Sequence, residues 1–375
     1  DEKFSMTYIA ARSAGEINTV SEIHAKVTQK MFAPMWKGFL PEELQIKNVT
    51  NGVHWATWTA PQWQQIFTEA FGKDFLQDVS NPNHWAKAKE IPFKKIMDTK
   101  KELKKELIVN VKKRMLSEMK SMHSASKQMF GALNSLNEDD LIIGFARRFA
   151  TYKRADLLFR DLNRLSSLLG QADRPVKFIF AGKAHPADIE GQNLIKRIFE
   201  ISERPEFIGK IFFIQNYDMD LARLLVQGVD VWLNTPVRGN EASATSGMKA
   251  LLNGPLNFSV MDGWWAEGYR SDSGWCLPKE QVYDNFDDQN NFDAESIYNL
   301  LEYEIIPKFF DRNVDGIPEK WVSKIKNAFA YIAPNFTTAR MLHEYTENYY
   351  DKMYNRVEKM KENNFQGIKD LVGWM

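Results

Sequence analysis

The sequence predicts an α/β protein built on an open, doubly wound parallel sheet of Rossmann type. Short apolar runs recur from Leu141 onward: LIIGFA (141–146), VKFIFAG (176–182), KIFFIQN (210–216), VDVWLN (229–234) and LNFSVMD (256–262). Most are followed by a helical pattern, in ADLLFRDLNRLSSLL, PADIEGQNLIKRIFE, MDLARLLVQG and SGMKALLNG. The runs are nearly continuous in hydrophobicity rather than alternating, which marks parallel strands covered on both faces.

The flanks read differently. Residues 1–58 read as helices and loops ending in the turn-rich NVTNGVHWATW, with Asn51-Gly52 as a turn signal. Residues 60–135 are helical in pattern and lysine-rich. In DTKKELKKELIVNVKKRM, Glu102 and Glu106 alternate with the lysines, so the run reads as the solvated face of an amphipathic helix rather than a nucleic-acid surface. From about Trp321 the chain reads as long amphipathic helices.

At 375 residues the chain has room for about two domains. Acidic and basic residues balance at 49 each, so no global field favours nucleic acid or an anionic membrane. The single cysteine, Cys276, excludes an intramolecular disulfide and fits a reducing compartment. No apolar run approaches the roughly 18 residues of a membrane span. Few histidines, one cysteine and no tight ligand spacing predict no metal centre. The chain begins at Asp1 in what reads as the middle of an element, so the lack of a leader carries no weight.

Open α/β sheets bind ligands at the C-terminal ends of their strands. Arg147, Arg148, Tyr152, Lys153 and Arg154 follow the first strand, and Lys183 and His185 the second. Asn216, Tyr217 and Asp218 follow the third, Asn234 to Glu241 the fourth, and Asp262-Gly263 the fifth. Four cations within RRFATYKR predict a phosphate-binding loop. No GxGxxG or P-loop follows any strand, which argues against a dinucleotide or nucleoside triphosphate.

The second informative stretch is GNEASATSGMKALLNG (239–254). Its small residues let the backbone approach a ligand, and Thr245 and Ser246 read as helix N-caps whose neighbouring amides point at an anion. Lys249 then falls in the first helical turn, where the dipole disfavours it. Nearby cations and a helix N-terminus lower a lysine pKa and favour imine formation with an aldehyde. From the residues alone, that role and a lysine without special chemistry both stay open.

NTVSEIHAKV (18–27), VTNGVHWATW (49–58), GFARRFATYKRADLL (144–158), FAGKAHP (180–186), GKIFFIQNYDMDLA (209–222), GNEASATSGMKALLNG, VMDGWWAEGY (260–269) and IAPNFTTARMLHEY (332–345) together resemble the α-glucan phosphorylases. The likeness is closest to their short bacterial and archaeal branch. It runs in the same order from about residue 5 to residue 355, and EASxTSGMK followed by LNG is specific to that family.

The resemblance implies a GT-B architecture, two Rossmann-like domains facing across a cleft. Residues 1–58 would end an N-terminal domain that is mostly missing. Residues 59–345 would form the C-terminal domain, with a helical lead-in at 60–135 and the sheet region at 141–265, and 346–375 the closing helices. The implied reaction is phosphorolysis of α-1,4-glucan ends (glycogen, starch or maltodextrin) by inorganic phosphate. It gives glucose 1-phosphate with retention, using pyridoxal 5'-phosphate whose phosphate exchanges a proton with the substrate. The resemblance further implies a cytoplasmic setting, leaves a homodimer open, and makes the missing upstream half of the same protein a partner. That half would bring the glycine-rich loop that closes the cofactor site, so the polypeptide alone is expected to be weakly active or inactive.

By motif position, Lys249 matches the cofactor-bearing lysine, and Arg148 and Lys153 match the pair that holds substrate phosphate. Arg147 stands where many members have a lysine touching the cofactor phosphate, which Thr245 and Ser246 also hold through their amides. Glu241, Ser243, Ala244 and Tyr152 match the glucose site, His24 the histidine near the 6-hydroxyl, and Tyr217 a tyrosine beside the cofactor ring. Ala244 replaces the usual glycine, which crowds a backbone–sugar contact, and Thr19 replaces another glycine.

Plainer readings stand beside several of these. His24 could be a packed or capping histidine, His54 a structural loop residue, and His185 belongs to a loop. Trp264 and Trp265 read either as a sugar-stacking platform or as core. Glu241 and Asp262 could form a glycosidase carboxylate pair, but hydrolysis has no use for the phosphate cluster. Two other functions remain: a GT-B nucleotide-sugar glucosyltransferase, for which no base-binding loop is found, and a non-catalytic glucan-binding fragment.

Overall fold

The computed structural model describes residues 4–122, 127–278 and 285–374. Near the start of the chain, β1 (Ile17–Thr19) and β2 (Ile46–Asn48) form a separate two-stranded parallel sheet. The main sheet comprises β3 (Leu141–Ala146), β4 (Val176–Ala181), β5 (Ile211–Ile214), β6 (Val231–Asn234), β7 (Leu256–Ser259) and β8 (Gly274–Cys276). All six are parallel, in the order β5-β4-β3-β6-β7-β8. The five expected strands are present and buried along their length, as continuous apolar runs require. The short strands β1, β2 and β8 were not anticipated.

The winding positions the site. From β3 the chain proceeds outward through β4 and β5, then returns to lay β6 on the other side of β3. Ile143 pairs with Val231 and Gly144 with Trp232 across this junction. The direction of winding reverses there, which opens a crevice beyond the C-terminal ends of β3 and β6. Three of the covering helices begin with an aspartate that accepts a hydrogen bond from an amide of the first turn: Asp161 before Leu162–Leu169, Asp188 before Ile189–Ser202 and Asp218 before Met219–Gly228.

The lysine-rich helix Phe93–Met122 has the expected solvated face, but not all of its lysines lie on it. Lys101 and Lys105 do turn outward, to Glu138 and Asp139. Lys100 and Lys104, one turn apart on another stripe, are buried against the N-terminal ends of the strands. Lys100 Nζ donates to the carbonyls of Gln227 and Val229. Lys104 pairs with Asp230 at 2.6 Å and donates to the Asp140 carbonyl. Carbonyls exposed where the strands begin need donors, and the long lysine stems reach them through apolar packing.

Asn51-Gly52 is not a turn. The stretch runs extended against the segment before the helix Thr338–Tyr345, with the Val53 amide donating to the Phe336 carbonyl and the Thr338 amide to that of Val53. Gly52 is required by proximity: a Cβ there would lie 2.1 Å from the Thr337 carbonyl oxygen. The C-terminal helix Asp351–Trp374 breaks at 362–365. No helix among the described residues is long and apolar enough to cross a membrane, and none of their His, Cys, Asp and Glu side chains gather into a metal-binding group.

Candidate functional site

The loop after β3 divides its four cations. Arg154 adopts a left-handed backbone (φ 48°) and turns into the protein. Its guanidinium donates to the Thr235 and Pro236 carbonyls and pairs with Asp293 at 2.6 Å. Arg154 therefore ties the β3 loop to the β6 loop and is not available to a ligand, which corrects the reading of the loop as four cations for one anion. Arg148 is exposed and has no ion-pair partner among the described residues. Arg147 and Lys153 are buried and converge on Glu241, the former at 3.6 Å and the latter in direct hydrogen-bond contact. Their meeting point spans the crevice between the loops of β3 and β6.

Burial holds the Arg147 guanidinium below its ordinary pKa, opposed chiefly by Glu241 and further by Tyr152 and Tyr217 nearby. Its Nε is buried without a hydrogen-bond partner. Burial in turn raises the Tyr217 phenol, and Arg147 opposes that shift. Tyr152 is placed by its carbonyl, which accepts the Val237 amide at 2.7 Å.

The loop 239–244 is shaped from behind by Asp262. Its carboxylate accepts the amides of Gly239, Glu241 and Gly263 at 2.9, 3.1 and 2.9 Å. Complete burial pushes its pKa up to about 6; the three amides oppose the shift and Glu241 adds to it. With both oxygens committed to backbone, Asp262 organises the loop and is not half of a glycosidase pair. Gly263 (φ 52°) lets this turn lie against Ser243, whose carbonyl would be 2.6 Å from a Cβ there. Ser243 Oγ accepts from Asn51.

Ala244 lies in the left-handed region (φ 63°, ψ 47°) and is itself the cap of the helix Thr245–Leu251. Thr245 and Ser246 are thus the first two helical residues rather than N-caps; their amides still lack intrahelical acceptors. Ser246 Oγ is used inward, accepting from Trp232 Nε1 at 3.1 Å. This shift in register moves Lys249 to the last turn of a seven-residue helix, where the dipole favours a cation. The helix dipole therefore does not disfavour Lys249. Its pKa is lowered all the same, by burial and not by neighbouring cations. The ammonium lies 3.7 Å from the ring centroid of Trp58. Asn253, fully buried, braces this corner by donating to the carbonyls of Trp58 and Lys249 and accepting the Ala60 amide.

His24 lies on the helix Glu22–Phe32, whose cap Ser21 reaches the Ala242 carbonyl at 2.7 Å and so joins that helix to the 239–244 loop. Burial lowers the His24 pKa, and its Nδ1 is buried without a partner. His54 bonds to Thr57, and His185 accepts the Ala187 amide within its own loop. Trp264 and Trp265 are 1% and 0% exposed, against Phe336 and each other, so they form core and no sugar platform.

The structure thus joins Arg147, Lys153, Glu241, Tyr152 and Tyr217 in one cluster, with Ser243 and Ala244 on its loop and His24 tied in through Ser21. Among the described residues no hydrogen bond or ion pair joins the Lys249 or Arg148 side chain to that cluster. Trp58 and Asn253 were not among the expected site residues, although Asn253 lies in the LNG block, and Asp262 shapes the loop instead of forming the alternative glycosidase pair with Glu241.

A family profile described as carbohydrate phosphorylase matches residues 1–268. A maltodextrin phosphorylase of Thermococcus litoralis is 38% identical over 100% of this chain and 44% of its own length. Glycogen phosphorylases of Aquifex aeolicus and Mycobacterium bovis are 41% and 36% identical over 94% and 99% of this chain. The chain spans 50% and 43% of those two proteins.

Proposed function

This chain belongs to the carbohydrate phosphorylase family, and we propose that it forms the cofactor-bearing half of a cytoplasmic glucan phosphorylase. The reaction would release glucose 1-phosphate from α-1,4-glucan ends by attack of inorganic phosphate. In this reading residues 1–58 close an N-terminal domain, 59–345 make the second GT-B domain, and 346–375 are closing helices. Catalysis then needs the upstream half of the protein, which walls the other side of the cleft.

The observation that carries the proposal is the buried Arg147–Lys153 pair at the reversal of the sheet, with Arg147 Nε unpartnered. Pyridoxal 5'-phosphate needs an amine of lowered pKa and donors for an anion, and Lys249 and the Arg147 guanidinium fit those needs. When bound, the cofactor supplies a phosphate group that gives and takes a proton at the substrate phosphate. Lys249 Nζ would attach it, with Arg147 and the amides of Thr245 and Ser246 balancing its charge and Tyr217 beside its ring. Arg148 and Lys153 would hold inorganic phosphate. Glu241, Ser243, Ala244, Tyr152 and His24 would orient the glucosyl unit and exclude water from it.

The test is made on the intact protein loaded with pyridoxal 5'-phosphate. Visible absorbance of the bound cofactor, borohydride fixation on Lys249 and phosphate-dependent release of glucose 1-phosphate from maltodextrin are expected. Labelling elsewhere than Lys249 sinks the mechanism, and turnover of a sugar nucleotide without the cofactor would favour a glucosyltransferase instead.

A further inference from the structure

The anion position between the β3 and β6 loops already holds an anion. Lys153 Nζ and Arg147 Nη1 converge on one atom, Glu241 Oε2, and the three side chains are only 11%, 7% and 9% exposed. Two buried cations without a counter-charge are costly, and a carboxylate is the counter-ion a polypeptide can supply from within. The contact is nevertheless incomplete. Arg147 Nε has no acceptor and Arg148 at the rim has no partner, so the carboxylate leaves donors unused.

We propose that Glu241 is an internal stand-in for phosphate, and that inorganic phosphate binds by displacing its carboxylate from Lys153, leaving Arg147 to the cofactor phosphate. The inference rests on the phosphate reading of this cluster given above. Phosphate carries at least the charge of the carboxylate and more acceptor lone pairs, so one exchange serves Lys153 and the unpaired Arg148 together. The backbone under Glu241 stays fixed during the exchange, because Asp262 holds the amides of Gly239 and Glu241. Movement is confined to the Glu241 side chain. The buried Asp262 carboxylate repels it from behind, and Tyr152 and Tyr217 flank the cations. Free protein then keeps Lys153 neutralised until phosphate arrives.

Replacing a residue that helps phosphate bind weakens binding, whereas removing a competitor strengthens it, so the sign of one measurement decides. Calorimetric titration of inorganic phosphate into the intact, cofactor-loaded protein and its Glu241→Gln variant is expected to show at least about tenfold tighter binding to the variant. Equal or weaker binding to a folded variant overturns the proposal. Should Glu241→Gln fail to fold, a crystal structure of the unaltered protein soaked in phosphate decides instead. Phosphate on Lys153 with Glu241 turned away supports displacement; phosphate bound with both ion pairs intact overturns it. Absence of phosphate binding to the unaltered protein overturns the underlying reading of the cluster, and the two failures are thereby told apart.

Discussion

Asp262 Oδ2 accepts the amide of Glu241 at 3.1 Å, while the Glu241 side chain reaches the other way to Lys153. One carboxylate shapes the backbone and the other meets the cations, so two acidic residues that look alike in sequence have separate duties. Asp262→Ala removes the acceptor of three amides at once, those of Gly239, Glu241 and Gly263. Leaving buried donors unpaired costs about 1–3 kcal/mol each. We expect a loss of about 3 kcal/mol or more in urea unfolding, together with faster amide exchange at 239–241.

Arg148 is the opposite case. It is exposed and unpaired among the described residues, so its removal leaves the fold unstrained. Arg148→Ala should change unfolding free energy by no more than about 0.5 kcal/mol. If it holds substrate phosphate, phosphorolysis by the intact enzyme should fall by about a hundredfold, with the loss in the phosphate KM and kcat together.

Ala244 occupies a left-handed conformation that costs an L-residue about 1 kcal/mol and a glycine almost nothing. Part of the gain from Ala244→Gly is offset by the greater freedom of glycine in the unfolded chain. The expected net result is stabilisation by a few tenths to about 1 kcal/mol, read as a rise in Tm. A fall in Tm would mean that the Ala244 methyl makes packing contacts worth more than the strain.

Lys100 gives a pH dependence of definite sign. Complete burial lowers its pKa to about 7 in the folded protein, whereas an unfolded lysine titrates near 10.4. Between those values the unfolded chain binds the extra proton, so the Lys100 contribution to stability rises with pH through that window and is lost as pH falls toward 7. Lys100→Met removes this dependence. The stability difference between parent and variant should move toward the parent by on the order of 2 kcal/mol from pH 7 to pH 9.5, measured by denaturant unfolding.

Much of this was legible beforehand where burial dictates composition. The five apolar runs had to be central strands, and the loops after them had to carry the chemistry. What escaped notice had physical reasons. β1, β2 and β8 are three residues each, too short for any periodicity to register. Thr245 and Ser246 have good capping chemistry, but the left-handed Ala244 takes the cap position, so the helix already begins at Thr245 and Lys249 falls in its last turn. Lys100 and Lys104 obey the charge alternation of an exposed face, and only the three-dimensional position of the strand carbonyls shows why they turn inward. Trp264 and Trp265 could be assigned to core only once Phe336, far along the chain, was seen packed on Trp264.

The crossing of Val53 with Thr337 joins segments that lie near opposite ends of the polypeptide. Contacts of such large sequence separation carry the greatest loop-closure cost and form after local ones during folding. Gly52 admits no side chain there, so the seam either closes completely or stays open. Weakening it should therefore leave the rate of folding almost unchanged and speed unfolding. The seam acts as a late-closing clasp that keeps residues 4–52 docked on the sheet domain together with Ser21 on Ala242 and Thr50 on Glu267.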